Sequence, residues 1–340
     1  SDANTLGLLT IDLENPFSYG RIIRDAETHR IERIVEEKDA SEAEKGLIEV
    51  NTGIFAVPGK LLKQCLSELK NHNAQREYYL TDIVASAVVL GHRVEAVRAS
   101  NESEVLGVND RAQLAYLERV FQKQQALSLM KAGITLKDPN RFDLRGRIAR
   151  HGRDVEIDVN VILEGAISLG ENTRIGANCM IRNASIGDHV EILPNCVIED
   201  AAIGDFSRIG PFARIRPESD LGDHVQIGNF VEIKKSSIDS GSKINHLSYI
   251  GDAEIGSRVN IGAGTITCNY DGANKHRTVI EDEAFIGSDT QLVAPVRVRK
   301  NSTIGAGSTI TRDTPEDQLT LSRSKQHTVK GWLRPKKRSI

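Results

Sequence analysis

The feature that most constrains this chain is a beat of one aliphatic residue every six positions through its C-terminal half. Ile157, Leu163, Leu169, Ile175 and Ile181 open it, and a five-residue step leads to Ile186, Ile192 and Ile198. Similar steps begin the runs Ile203, Ile209, Ile215, Leu221, Ile227, Ile233, then Ile238, Ile244, Ile250, then Ile255, Ile261. After an interruption the beat resumes at Ile280, Ile286, Leu292, Val298, Ile304 and Ile310. Helices repeat at 3.6 residues and ordinary strands at 2. A sustained hexad is instead a repeat architecture of the β-helix kind. Each short strand buries only one aliphatic side chain per hexad and cannot fold alone. Three strands bent into a triangular coil share an axis, and coils stack at about 4.8 Å, the spacing of paired strands. Small residues beside the aliphatic, as in "IGANCM", "IGDHVE", "LGDHVQ" and "IGSRVN", let the chain turn each corner. The period leaves handedness open.

Stacking sorts several reactive residues. Cys179 and Cys196 lie 17 positions apart, close to one coil, and are expected within or beside the core. His189 and His224 share the frame "GDHV" two coils apart. That places them roughly 10 Å from each other, too far to share one metal ion directly. The recurring "GD" reads as turn chemistry rather than an acid pair.

The first part of the chain has a different texture. "TLGLLTIDL", "RIERIVEE" and "LIEVNTGIFAV" read as strands, and "GKLLKQCLSELK" and "YLTDIVASAVVLG" have helical periodicity. From Arg111 to Ala132 the set Leu114, Leu117, Val120, Phe121, Leu127 and Met130 repeats at three to four residues. That predicts a long amphipathic helix stopped at Gly133. The expected organisation is a mixed α/β part over 1–110, a linker helix over 111–133 and a β-helix with a tail over 134–340.

Composition narrows the function. Of 340 residues, 27% are charged with a net charge of -3, so there is no electrostatic case for nucleic acid. No apolar run is long enough to span a bilayer, and the start "SDANTLGLLT" lacks a signal-peptide layout. Cys65, Cys179, Cys196 and Cys268 form no CxxC pair, which predicts reduced thiols in a cytoplasmic protein.

A regular prism has no concavities, so sites must come from loops that interrupt the hexads or from grooves between neighbouring prisms. One large interruption, Thr267 to Val279, carries Asn269, Tyr270, Asp271, Asn274, Lys275 and His276. Upstream lie Arg214, Arg216, Lys234 and Lys235. Arg216 and Lys234 are 18 apart and are expected to stack on adjacent coils, facing outward together. Such a pair suits a phosphate, with Arg as a bidentate fork and Lys as a point charge; the alternative is a solvated charged face. His246 is expected one coil further on, stacked with these cations. Imidazole titrates near neutrality and suits a general base for an amine nucleophile, unless it is simply a surface residue.

Taken together, "IGAGTITCNYDGANKHRT", "IGPFARIRP", "GNFVEIKK", "HLSYIGDAEIG" and "FIGSDTQLVAPV" closely resemble the acetyltransferase domain of the bacterial bifunctional N-acetylglucosamine-1-phosphate uridyltransferase / glucosamine-1-phosphate N-acetyltransferase family. "SYGRIIR", "IVEEKDA", "EVNTGI", "NAQREYYLTDI" and "GVNDR" extend the resemblance over essentially the whole chain. It implies a left-handed parallel β-helix assembled as a homotrimer, with acetyl-CoA held between subunits and products feeding peptidoglycan and lipopolysaccharide synthesis. By motif, His246 is implied as the general base that deprotonates the amine of glucosamine 1-phosphate. Arg216 and Lys234 are implied to hold the sugar phosphate, Tyr249 and Asn260 the sugar, and Lys275 a further phosphate contact. Ala263, Asn269, Tyr270, Ser288, Ala306 and Arg323 match acetyl-CoA contacts. Glu232, two residues before Lys234, is a candidate for orienting His246, against a role as an exposed salt-bridging carboxylate.

The family's other activity joins UTP to N-acetylglucosamine 1-phosphate with Mg²⁺, using a Gly-rich loop that cradles phosphates. The GxG triplets here, at 262–264 and 305–307, sit inside the β-helix. Gly20, Glu36, Asn51 and Asn109 match sugar-nucleotide contacts, with Asn109 also a magnesium ligand. The expectation is a chain without the nucleotide-binding loop, lacking uridyl transfer, and with exposed apolar surface in its N-terminal part. Two other classes compete with the acyltransferase: a noncatalytic trimerisation scaffold, and a metal-dependent hexapeptide enzyme. The latter needs three histidines meeting at an interface, and the spacings of His189, His224 and His246 do not supply an obvious set.

Overall fold

The computed structural model describes residues 5–108 and 110–334. The chain divides into two compact units, residues 1–120 and 121–340. The first contains a five-stranded sheet of β1 (Thr5–Asp12), β2 (Arg21–Arg24), β3 (Ile31–Val35), β4 (Glu49–Ala56) and β5 (Arg93–Arg98), in the order β3-β2-β4-β1-β5. Its helices include α1 (Glu42–Lys45), α2 (Gly59–Glu68) and α3 (Ile83–Val89). Leu6, Leu8, Ile22, Ile34, Leu61 and Ile83 close one core between sheet and helices. Buried Glu49 is satisfied by Thr10 at 2.9 Å and by Arg24 at 2.8 Å. Ile54, Val89 and Val97 are exposed. The sequence reading did not pick out β2, which is only four residues long, or β5, which buries Val94 and Ala96 only in part.

Helix α4 spans Arg111–Lys131; Met130 of the apolar stripe packs, partly buried, against the β-helix core, but the fully buried residues of the helix lie outside that stripe. Leu114, Phe121 and Leu127 are exposed, while Gln122 and Ala126 are buried. Gln122 acts as a substitute strand. Its carbonyl accepts from the Leu144 backbone N–H at 2.8 Å, and its amide donates to the Leu144 carbonyl at 3.1 Å. Ala126 joins the β-helix core, because a small side chain lets the helix approach the open end of the first coil.

The second unit is a parallel β-helix with three faces. Face one stacks eleven strands, from Thr135–Leu136 to Leu319–Thr320. Face two carries Arg214–Ile215, Glu232–Lys234 and Tyr249–Gly251; face three carries Ser219–Leu221, Ser237–Ile238 and Ala253–Ile255. The aliphatics of the hexad beat fill the axis, each no more than 3% exposed. The beat also continues where it looked broken. Thr267, six residues after Ile261, takes the inward slot at 1% exposure. Its hydroxyl accepts the Gly251 N–H at 2.8 Å and donates to the Gly251 carbonyl at 3.1 Å, so burial leaves no polar group unpaired.

Corners use left-handed backbone, mostly without glycine. One edge column contains Asn178, Asn195, Phe212, Phe230 and Leu247, all at positive φ. Asn tolerates this region because its side chain bonds locally; Phe212 and Phe230 instead stack on each other, with centroids 5.2 Å apart. A second column stacks His189, Phe206 and His224, with successive centroids 4.8 and 5.0 Å apart. That agrees with the roughly 10 Å expected between the two histidines. The "GD" aspartates are turn residues: Asp188, Asp205 and Asp223 each accept a backbone N–H from the preceding coil at 2.7–2.8 Å. Cys179 and Cys196 are buried in the core, and all four cysteines are free thiols. The neighbouring Cys196 thiol, together with burial, pushes the Cys179 thiol up. No helix among the described residues is long and apolar enough to cross a membrane.

Candidate active site

The site residues fall on two faces that meet at the edge of Phe212, Phe230 and Leu247. On face one, His246 ends the strand Lys243–His246. It borders a groove of about 540 Å³ that also includes Asn260, Ala263, Ser288 and Ala306. The floor is nearly bare backbone. A Cβ on Gly262 would lie 2.5 Å from the Ser288 nitrogen, and one on Gly287 would lie 2.5 Å from the Ala306 nitrogen. Glycine therefore lets successive coils close, and Ala263, Ser288 and Ala306 follow these glycines or the equivalent Gly305. Arg323 reaches the same end of the groove, donating from Nη1 to the Ala306 carbonyl at 3.0 Å. The imidazole Nδ1 of His246 lies 3.0 Å from Asn229 Oδ1 on the preceding coil.

Face two gathers cations. The register Ile215↔Ile233 aligns Arg216 with Lys234, as the 18-residue spacing predicts. Lys275 lies near enough to Lys234 that it holds, with burial, the Lys234 pKa below the usual lysine range, while Asp252 acts in the opposite sense. Arg216 donates from Nη1 to Glu232 at 2.7 Å. Glu232 is thus a partner of the cation site, and the side-chain contact of His246 is with Asn229.

The stacked trio of Arg216, Lys234 and His246 does not form. Lys234 pairs with Gly251, and His246 lies twelve residues after Lys234, before the corner at Leu247. Two hexad steps from a face-two strand lead to face one. Gly251 instead leaves room for other groups, since its Cβ would meet Tyr249 Oη at 2.4 Å and Asn269 Nδ2 at 2.9 Å. Asn269 is buried and donates to Asp252 at 2.5 Å. It lies on the cation side, away from the groove of Ala263 and Ser288.

The interrupting loop is self-supporting. Asp271 Oδ1 accepts backbone N–H groups from Ala273 at 2.8 Å and Asn274 at 2.6 Å. Its Oδ2 lies 2.6 Å from His276 Nε2. These backbone bonds and the ring hold the Asp271 carboxyl well below the ordinary range. Tyr270 is exposed and donates to the Gly272 carbonyl at 2.6 Å, and a bridge between Tyr270 and Lys275 closes the loop. His276 is thereby paired within the loop itself.

In the first unit, Gly20, Glu36 and Asn51 come together. A Cβ on Gly20 would lie 3.3 Å from the Glu36 carboxylate, and the Asn51 N–H donates to the Gly20 carbonyl at 2.8 Å. Glu36 also accepts from Thr81 at 2.8 Å. Asn109 lies outside the described residues. Among the described residues no group of three or more His, Cys, Asp and Glu side chains converges to hold a metal ion.

Sequence reasoning missed Asn229, because one asparagine in "IGNFVE" carries no periodic or motif signal. Only the strand register sets it opposite His246.

Comparison with known proteins fits this geometry. The model of the GMPPB C-terminal domain matches residues 148–228, and that of the bacterial transferase hexapeptide (six repeats) matches residues 277–312. The bifunctional protein GlmU of Methylococcus capsulatus is 65% identical over 334 residues, covering 98% of this chain and 72% of that protein. GlmU of Thiobacillus denitrificans is 58% identical over 335 residues, with 98% and 72% covered. GlmU of Nitrosomonas europaea is 58% identical over 334 residues, with 98% and 73% covered. With this identity over nearly its whole length, the chain, whose second unit is a left-handed parallel β-helix, belongs to the family of the bifunctional protein GlmU.

Proposed function

We propose that this chain transfers the acetyl group of acetyl-CoA to the amine of glucosamine 1-phosphate, giving N-acetylglucosamine 1-phosphate and free coenzyme A. The observation that carries this reading is the gathering of cations on one face, where the strand register aligns Arg216 with Lys234 on adjacent coils and Lys275 lies near them. Clustered cations on one face suit a phosphate dianion. Tyr249 and Asn260 would hold the sugar; Ala263, Ser288, Ala306 and Arg323 would hold the coenzyme along the groove, and Asn269 and Tyr270, on the other face, would meet the coenzyme of a neighbouring copy.

In the reaction, the amine nitrogen attacks the thioester carbonyl. His246 Nε2 removes a proton from that nitrogen as the C–N bond forms. Negative charge collects on the carbonyl oxygen and needs a fixed N–H donor. The C–S bond then breaks, and the imidazolium returns its proton to the departing thiolate.

Because groove and cations occupy different faces, a site containing both is completed by another copy, and we propose a homotrimer. In the first unit, the cluster of Gly20, Glu36 and Asn51 supports a sugar-nucleotide half-site for uridyl transfer, with Mg²⁺ assigned to Asn109 by motif alone.

The test is thiol release from acetyl-CoA with glucosamine 1-phosphate as acceptor, alongside light scattering. Acceptor-dependent release from a species of three chain masses is expected. A folded trimer that releases no thiol would leave the scaffold reading. Loss of activity on adding a chelator would favour a metal enzyme. His246→Ala is expected to lower kcat far more than it raises KM.

A further inference from the structure

We propose that Asn229 is a positioning residue for His246: its side-chain carbonyl fixes the imidazole tautomer that leaves Nε2 free to accept a proton. This rests on His246 being the base. Asn229 and His246 sit directly opposite each other in the parallel pairing of Gln226–Asn229 with Lys243–His246. The contact is Oδ1 to Nδ1 at 3.0 Å. Two acceptors do not face each other at that distance, so an Oδ1 facing the ring puts the proton on Nδ1 and the lone pair on Nε2.

The backbone is built to keep this contact. A Cβ on Gly228 would lie 1.9 Å from the Asn245 carbonyl oxygen. Only glycine allows the two coils to close there, immediately beside the Asn229–His246 pair.

The choice of an amide has chemical content. A carboxylate would orient the ring equally well, but it would also stabilise imidazolium and occupy the base with a proton near neutrality. The strands flanking His246 supply no carboxylate. Gln226–Asn229 contributes Gln226 and Asn229, the strand Asn260–Ile261 contributes Asn260, and its own strand contributes Lys243. Glu232, on the next face, is engaged by Arg216 at 2.7 Å. Asn229 therefore orients the ring without adding charge.

The experiment uses the full chain with glucosamine 1-phosphate and acetyl-CoA. Asn229→Ala is expected to lower kcat about tenfold or more while leaving KM near its original value, within the range a general base contributes. Asn229→Asp is expected to move the acidic limb of kcat/KM upward by about one pH unit or more and to recover activity at high pH. Nitrogen NMR of the unmutated protein should show His246 neutral with the proton on Nδ1, a readout that does not depend on any variant folding. A proton found on Nε2, or an acidic limb unmoved in a folded Asn229→Asp, overturns the proposal. Failure of the underlying reading looks different: His246→Ala would retain turnover.

Discussion

Replacing Lys234 with glutamine separates binding from stability, because the two should move in opposite directions. In the free protein Lys234 faces the Lys275 ammonium, with Arg216 one coil away. Removing one cation relieves repulsion, so the unliganded fold should keep or slightly raise its melting temperature. Binding should suffer. A charge-assisted hydrogen bond is worth about 1.5–3 kcal/mol, and solvent exposure at this surface favours the low end. About 1.4 kcal/mol is tenfold in an equilibrium constant, so KM for glucosamine 1-phosphate should rise roughly tenfold. Phosphate contacts are remote from the reacting amine, so kcat should change little. The assay is initial-rate kinetics over sugar-phosphate concentration at two ionic strengths, with thermal unfolding of the free protein. The variant's KM should depend less steeply on salt, since one screened charge is gone. An unchanged KM, or a clear loss of stability without ligand, would refute a phosphate-binding cation cluster.

Other consequences are as direct. Gly251→Ala should fold, because the atoms its Cβ meets first are the tips of Tyr249 and Asn269; KM for the sugar phosphate should rise as they are displaced, with circular dichroism unchanged. Ile233→Ala removes a fully buried side chain paired with Ile215 and Ile250, and urea unfolding should show a loss of about 2–5 kcal/mol. The Asp271 carboxyl titrates below its ordinary value of 3.8 in the folded loop. Its contribution to stability is therefore complete above that ordinary value and is lost only as pH falls through the depressed one. Hydrogen exchange of the loop amides should show no transition from Asp271 between about pH 5 and 7.

Much of the second unit was legible because its core is written one residue at a time. An outward slip of Ile209 or Ile244 would expose an aliphatic side chain, so period alone specifies the inward set. Thr267 escaped that reading since a threonine scores as polar until its hydroxyl is seen paired with Gly251. The site was half legible: Arg216 and Lys234 stack as their spacing implied, whereas His246 lies across a corner. The hexad count contained that answer, as twelve residues lead to another face and seventeen or eighteen return to the same one. Asn229 and the Glu232–Arg216 pair depend on register and side-chain reach, which composition does not encode. In α4 the apolar stripe misled, because a hydrogen-bonding Gln122 docks better against an open strand edge than an aliphatic residue would.

The interruption after Thr267 has a consequence for how such a chain changes length. The coil from Ile255 to Ile280 takes 25 residues, yet those two side chains still pair in register. The preceding coil, from Ile238 to Ile255, takes 17. Extra chain is harmless here because it leaves and rejoins at a corner, between the inward residues of two faces. A single residue added inside Tyr249–Gly251 would instead rotate every later side chain about the axis. Insertions and deletions should accordingly persist in two forms, whole coils or corner excursions of any length. The first lengthens the prism without altering its chemistry. The second adds reactive groups without disturbing the stack, as the loop bearing Lys275 does.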